Sequence, residues 1–218
     1  MPGTLFLVVG PSGAGKDTLI DGARAALADN DAVVFARRAI TRPADAGGEA
    51  HEAVTDAEFE ALKAAGGFML HWDAHGLKYG IPARYAADLA AGKNVIANVS
   101  RAVIGQAVDE FAPATVLEIT ASPAILAERL ANRGRETAAE IAGRLARDAA
   151  RIPATAKKVT IVNDGAREDG IAAVVAALSS PPPPSDPQVR RKLGGATLDR
   201  SAYREIIGDI VAGRYTEP

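Results

Sequence analysis

Residues Gly10 to Leu19 read GPSGAGKDTL, and the spacing of Gly10, Gly15 and Lys16 is the pattern G-x-x-x-x-G-K. A phosphate chain is a dense, strongly solvated anion, so holding it out of water takes many donors pointing inward at once. Main-chain amides can do this only where no side chains intrude, and Gly10, Gly13 and Gly15 supply those positions between Pro11, Ser12 and Ala14. A helix beginning just after the loop directs its N-terminal amides and positive dipole end at the same anion, and Lys16 adds a point charge for the β- and γ-phosphates. The segment from Gly10 through Lys16, Asp17 and Thr18 is therefore expected to bind ATP, with Lys16 also serving transfer.

Asp17 departs from the pattern, because Ser or Thr normally follows the lysine and holds magnesium. A carboxylate is also a hard oxygen ligand and can take Mg2+ directly or through water, although it brings negative charge beside the phosphates. Asp17 is the candidate metal residue. The alternative is that it merely complements the helix N-terminus. Thr18 offers a hydroxyl one place later, with its side chain expected to point elsewhere on the helix.

The elements that must position this loop can be read from apolar runs, caps and breakers. Thr4 to Val9 is a buried strand feeding the loop, followed by a helix from Lys16 to about Ala28 and a strand from Ala32 to Ala36. Arg42 to Val54 is a polar stretch. Thr55 opens a capping box with Glu58, giving a helix to about Ala65 that Gly66 and Gly67 end. Phe68 to Asp73 is a strand, His75-Gly76 a turn, and Pro82 starts a helix reaching Ala91. Val95 to Ala97 and Val116 to Ile119 are strands followed by helices capped at Ser100 and Ser122. Thr137 to Glu140 opens another helix to Arg151, Val159 to Val162 is the last strand, and Ile171 to Leu178 the last helix. Strands alternating with helices imply a mostly parallel sheet covered on both faces.

Composition bounds the function classes. The chain has 218 residues, a 48% hydrophobic share, a formal net charge of −2 and no cysteine. No apolar run approaches the roughly 20 residues a membrane span requires, so a membrane role is not expected. The near-neutral balance gives no general attraction for nucleic acid, and the lack of cysteine excludes disulfides and thiolate metal sites. No basic segment followed by an apolar stretch and cleavage site is seen at the N-terminus, so the cytoplasm is the expected location. Ser179 to Pro187 reads SSPPPPSDP, a semi-rigid spacer that separates a domain at 1–179 from a tail at 188–218, with the linker itself at 180–187. In the tail, Tyr203, Ile206, Ile207, Ile210 and Val211 recur at helical spacing, a face that one helix cannot bury alone.

From Thr4 to Leu178 the chain resembles the guanylate kinases: GPSGAGK, TRP at Thr41 to Pro43, HGLKYGIP at His75 to Pro82 and VND at Val162 to Asp164 occur in order. The resemblance implies a P-loop three-layer α/β/α fold with a lid and an acceptor-binding subregion. It also implies that Arg42 and Tyr79 contact an acceptor phosphate. Where guanylate kinases carry guanine-reading Glu, Ser and Asp, this chain has Leu70, Ile81 and Ser100, and it lacks their second Arg and Tyr between Asp45 and His51. A buried polar edge of a base left unpaired costs about 1–3 kcal/mol per group, so guanine is not the expected acceptor.

GKDTL, RAITRPADAGGE, LHWDAHGLKYGIP and NVSR together are closer to the ribose 1,5-bisphosphate phosphokinases of phosphonate breakdown. That resemblance implies transfer of the γ-phosphoryl of ATP to the 1-phosphate of ribose 1,5-bisphosphate, giving 5-phosphoribosyl 1-diphosphate. An acceptor phosphate has a second pKa near 6 and needs no strong base, so positioning and charge neutralisation suffice. Asp73 is open to two readings, a base for a hydroxyl acceptor or a surface residue.

The resembling kinases carry their lid between Arg129 and Arg151, and Arg133 and Arg144 are the first candidates there for neutralising the transferring group. Arg38, Arg42, His71, His75, Lys78, Tyr79 and Ser100 are the candidate acceptor-binding residues, with Arg37 a further candidate for the 5-phosphate. No metal site is expected among His51, His71 and His75, whose spacing forms no known ligand set. Trp72 is expected in the core. Val189 to Pro218 resembles the N-terminal segment of thymidine and AMP phosphorylases, which implies a fused or associated phosphorylase or a homo-oligomer formed through the tail. Two competing functions stay open: a nucleoside monophosphate kinase, and a non-catalytic guanylate-kinase-like module that binds proteins.

Overall fold

The computed structural model describes residues 1–46, 49–131 and 152–179. In chain order these form β1 (Leu5–Val9), α1 (Lys16–Ala26), β2 (Val33–Phe35), β3 (Ala39–Ile40), β4 (Glu52–Ala53) and α2 (Asp56–Ala64). Next come β5 (Phe68–Ala74), β6 (Leu77–Pro82), α3 (Arg84–Ala90), β7 (Asn94–Asn98), and a 3-10 turn (Arg101–Val103) that runs into α4 (Ile104–Glu110). The last are β8 (Ala114–Thr120), α5 (Pro123–Ala131), β9 (Lys157–Val162) and α6 (Arg167–Ser179). The expected helix at 137–151, the linker and the tail lie outside the described residues, as do Arg133 and Arg144.

Five strands in the order β2-β7-β1-β8-β9, all parallel, make the central sheet. All five residues of β1 are buried because the strand is covered on both faces. Its alternation divides the core: Leu5, Leu7 and Val9 join Tyr85, Leu89, Ile104 and Ala107 of α3 and α4 on one face. Phe6 and Val8 join Leu19, Ile20 and Ala23 of α1 and Val174 and Leu178 of α6 on the other. The result is the expected three-layer arrangement, with the C-terminal ends of β1, β7 and β8 opening on the loop after β1.

A second sheet, in the order β4-β3-β6-β5, stands beside the first. It is mixed, with β3 parallel to β4 and antiparallel to β6, and β5 antiparallel to β6. His75 and Gly76 are the two loop residues of the β5–β6 hairpin, both with positive φ (54° and 72°), as a twist-matched two-residue hairpin turn requires. Leu77 to Pro82 is thus a strand, and α3 begins at Arg84 and not at Pro82. The polar stretch after Arg42 ends in β4. The 55–65 segment matches its expectation: Thr55 accepts from the Glu58 amide at 3.2 Å and the Glu58 carboxylate accepts from the Thr55 amide at 2.7 Å. Ser100 caps the 3-10 turn, not an α-helix, through the Ala102 amide. Met69, Leu70, Trp72 and Ile81 tie the second sheet into the same core cluster as β1.

Candidate active site

The loop after β1 is braced from beneath. Asn163, buried just past β9, donates from its side-chain amide to the Ala14 carbonyl at 2.8 Å, and its own N–H reaches Thr120 O at 2.7 Å. Gly15 turns the chain into α1 at φ +86°, and a Cβ there would stand 2.5 Å from Asn163 Nδ2, so both backbone and packing exclude a side chain. No side chain caps the N-terminus of α1, which leaves its first amides directed at the loop. Lys16 Nζ donates to Gly10 O at 2.7 Å and Pro11 O at 3.0 Å, so the ammonium curls over the loop. Pro11 and Ala14 are buried behind it, while Gly10, Ser12, Gly13, Gly15, Lys16, Asp17 and Thr18 line a cleft. Thr18 is thus among the residues of the cleft wall.

Asn98, the last residue of β7, donates to Asp17 Oδ1 at 3.0 Å across the cleft wall. Ser100 and Arg101 follow along the same wall. Arg101 is paired with Glu118 of β8 at 3.4 Å, and Lys158 of β9 reaches the same carboxylate at 2.9 Å. Burial pushes the Glu118 carboxyl up, but the Lys158 hydrogen bond and the charges of Lys158 and Arg101 outweigh it and leave the group below its ordinary value.

The opposite wall comes from the second sheet. Trp72 and Tyr79, paired across β5 and β6, stack with ring centroids 5.4 Å apart and planes 4° from parallel. The Arg38 guanidinium lies 5.9 Å from the Trp72 ring centre and 5.1 Å from that of Tyr79, within cation–π range of both. Glu49 holds Arg38 in a two-point pair, Nε to Oε2 at 3.0 Å and Nη2 to Oε1. Arg38, Trp72, Tyr79 and His75 all line the cleft. Trp72 is both core and wall, 8% exposed.

Several candidates stand elsewhere. In β5 side chains alternate, so His71 and Asp73 occupy the face opposite Trp72 and Ala74 and do not line the cleft. Lys78, opposite Asp73, shares that face and is bound to Glu60 at 2.6 Å and Asp56 at 3.2 Å of α2, which hold its ammonium above the ordinary value. Arg37 is exposed and also outside the lining. Arg42 lies outside it too, with Nη2 3.1 Å from His51 Nδ1 and its own carbonyl 3.1 Å from His51 Nε2. His51 Nδ1 is also 3.1 Å from the Glu49 carbonyl oxygen, so the ring is seated between Arg42 and the backbone just before it. Arg42 Nε is buried without a protein partner.

Sequence reasoning gave no individual role to Asn98, Asn163 or Arg129, all three of which stand at the loop or its wall. Arg129 Nη1 is buried without a partner, 3.9 Å from where a Cβ of Gly15 would stand, so an unpaired cationic donor sits against the loop. Its signal was its place at the start of the arginine-bearing stretch from Arg129 to Arg151. Asn163 belonged to the quoted VND motif without a role.

Among the described residues no group of three or more His, Cys, Asp or Glu side chains could hold a metal ion. Asp17 with its oxygen-bearing neighbours nonetheless fits magnesium, which protein sites typically bind with one or two carboxylates and substrate phosphates. Among the described residues no helix is long and apolar enough to cross a membrane.

No protein-family model matches the sequence. The ribose 1,5-bisphosphate phosphokinase of Agrobacterium fabrum is 44% identical over 183 residues, covering 84% of this chain and 100% of that protein. This chain belongs to the ribose 1,5-bisphosphate phosphokinase family. Phosphokinases of this family also occur joined to a second activity: the bifunctional ribose 1,5-bisphosphokinase-thymidine phosphorylase of Cupriavidus necator is 46% identical over 222 residues, covering 99% of this chain. The chain spans 25% to 37% of the length of the bifunctional relatives it matches. Guanylate kinase from Anaplasma phagocytophilum shares the phosphokinase fold with a TM-score of 0.60 at 18% identity, over 81% of this chain and 85% of that one.

Proposed function

We propose that the protein transfers the γ-phosphoryl group of ATP to the 1-phosphate of ribose 1,5-bisphosphate. An oxygen of the acceptor phosphate attacks the γ-phosphorus, the bond from that phosphorus to the bridging oxygen of ADP breaks, and a new diphosphate forms. The products are 5-phosphoribosyl 1-diphosphate and ADP.

The observation that carries this reading is the wall built by Trp72, Tyr79 and Arg38. Leu70 and Ile81 behind it are fully buried, so the wall offers aromatic surface and cationic donors but no buried partner for the polar edge of a base. Among the described residues Asp17 is the one carboxylate lining the cleft, and Asn98 already engages it. An acceptor that is itself a phosphate, largely ionised at neutral pH, fits a cleft without a carboxylate base on the acceptor side. Asp73, on the other face of β5, is outside that cleft.

On this reading Lys16 spans the phosphates, the α1 amides hold the β-phosphate and Asp17 takes the magnesium, which neutralises charge on the phosphates. Tyr79, His75 and Ser100 meet the acceptor with Arg38, and Arg129 joins Arg133 and Arg144 in offsetting charge on the transferring group. Arg42, with its buried unpartnered Nε, is retained for the acceptor phosphate. Phosphorylated substrates of this kind do not cross bilayers unaided, which supports a cytoplasmic location. Similarity to the Cupriavidus necator relative along nearly the whole chain supports reading 188–218 as the start of a phosphorylase unit, with 180–187 as the spacer. Phosphorolysis of a nucleoside monophosphate would supply the bisphosphate acceptor.

The test is product identification by phosphorus NMR after incubation with ATP, Mg2+ and, in parallel, ribose 1,5-bisphosphate, ribose 5-phosphate and GMP. Diphosphate formation from the bisphosphate alone is expected. Comparable turnover of GMP would return the protein to the nucleoside monophosphate kinases, and failure to bind ATP would leave a protein-binding module.

A further inference from the structure

In P-loop enzymes magnesium is shared between the hydroxyl that follows the loop lysine and a carboxylate presented by a strand beside the loop. Here the residue after Lys16 is Asp17, and β7, which pairs with β1 in parallel with Val8 opposite Asn98, ends in that asparagine. Asn98 is thus placed at the C-terminal edge of the sheet next to the loop, and its side-chain amide donates to Asp17 Oδ1 at 3.0 Å. The two positions have exchanged their chemistry, with the charged oxygen on the helix and the neutral group on the strand. One formal negative charge remains beside the phosphates in either arrangement.

We propose that Asp17 and Asn98 are a transposed magnesium pair, in which Asp17 is the charged ligand and Asn98 is the positioning residue that holds it. Two observations separate this from a carboxylate that merely complements the α1 dipole. Asp17 makes no capping bond to α1, whose N-terminus has none, and instead is held across the sheet edge by Asn98. The exchange is also interdependent: a second carboxylate at hydrogen-bond distance from Asp17 would force the pair to share a proton, whereas the Asn98 amide turns the contact into a donor–acceptor bond. With its NH2 spent on Asp17, the Asn98 carbonyl oxygen remains a further hard donor for the ion or its water. The proposal rests on nucleotide binding at the loop and is independent of which acceptor the protein uses.

The experiment is calorimetric titration of the full chain with ADP, with saturating Mg2+ and with EDTA, the ratio of the two affinities being the readout. No acceptor or turnover enters it, so it stands or falls separately from the acceptor assay. Asp17→Ser is expected to lower the ratio by about tenfold or more, and Asn98→Leu to lower it by about tenfold, as loss of a ligand-orienting partner does. Asn98→Asp alone should weaken ADP binding in EDTA, because it replaces the donor that holds Asp17 with a second acidic group beside the phosphates. Combined with Asp17→Ser it should restore the ratio to within about threefold of the starting protein, a departure from additivity expected for contacting residues. Asp17→Asn keeps the size and removes only the charge, and it should fall with Asp17→Ser. A ratio unchanged in Asp17→Asn, or a double variant no better than Asp17→Ser, would overturn the proposal, as would a starting protein whose ADP affinity ignores Mg2+.

Discussion

Along the β1 side of the cleft the donors are main-chain amides, fixed by glycine geometry and by the Asn163 brace under Ala14. Along the β5–β6 side they are long side chains held by other side chains, Arg38 by Glu49 and, just outside the lining, Arg42 by His51. A backbone grip is tied to the fold and tolerates little variation in conformation but much in chemistry. A side-chain grip can be re-specified by one substitution. On the proposed function, this division would put acceptor selectivity where side chains do the holding.

The most severe way to break the comparison is Lys16→Ala, which removes the ammonium from the first wall. Turnover should fall on the order of 10³-fold, a loss of the size seen when a charge-stabilising group is removed, while far-UV circular dichroism stays unchanged. Gly80→Ala attacks the second wall through packing, since a Cβ there would lie 2.5 Å from the Phe68 ring. A loss of about 1–3 kcal/mol in denaturant unfolding is expected, with ADP affinity retained in the folded fraction; an equal loss of ADP binding would mean the two walls are not separable. Tyr79→Phe removes one neutral donor and should raise the KM for the acceptor about tenfold or less without altering that for ATP. The smallest effect concerns Glu118, which pairs with Arg101 beside β7 and with Lys158 of β9. Its carboxyl lies below the ordinary 4.5, so its contribution is present above that value and lost as pH falls through the lowered one. Glu118→Gln should therefore flatten the decline of unfolding midpoint on acidification.

The loop was legible because everything that defines it lies within nine consecutive residues and follows from local spacing. The capping box at Thr55 and the His75-Gly76 turn were legible for the same reason. The second sheet was not, since β3 and β4 have two residues each and exist only through pairings such as Ala39 with Gly80 and Ile40 with Tyr79. β6 was hidden by Gly80 and Pro82, which ordinarily interrupt strands. Here Gly80 makes room for the Phe68 ring and Pro82 closes the strand. Alternation in β5 showed that His71 and Asp73 share a face but not which face meets the cleft. Packing of α2 decides that, with Phe59 stacked on Phe68 at 4.6 Å and its acids drawing Lys78 away. Arg129 was visible as a charge on a helix, but its unpartnered nitrogen against Gly15 needed the fold.

The chain leaves the central sheet after β2 and comes back at α3, and these two crossing points touch: the Arg37 amide donates to the Tyr85 hydroxyl at 2.9 Å. An excursion tied off at its own neck is a cassette. Residues 39–82 are thus one contiguous stretch of gene, and any replacement for it must still match the core through the positions of Met69, Leu70, Trp72 and Ile81.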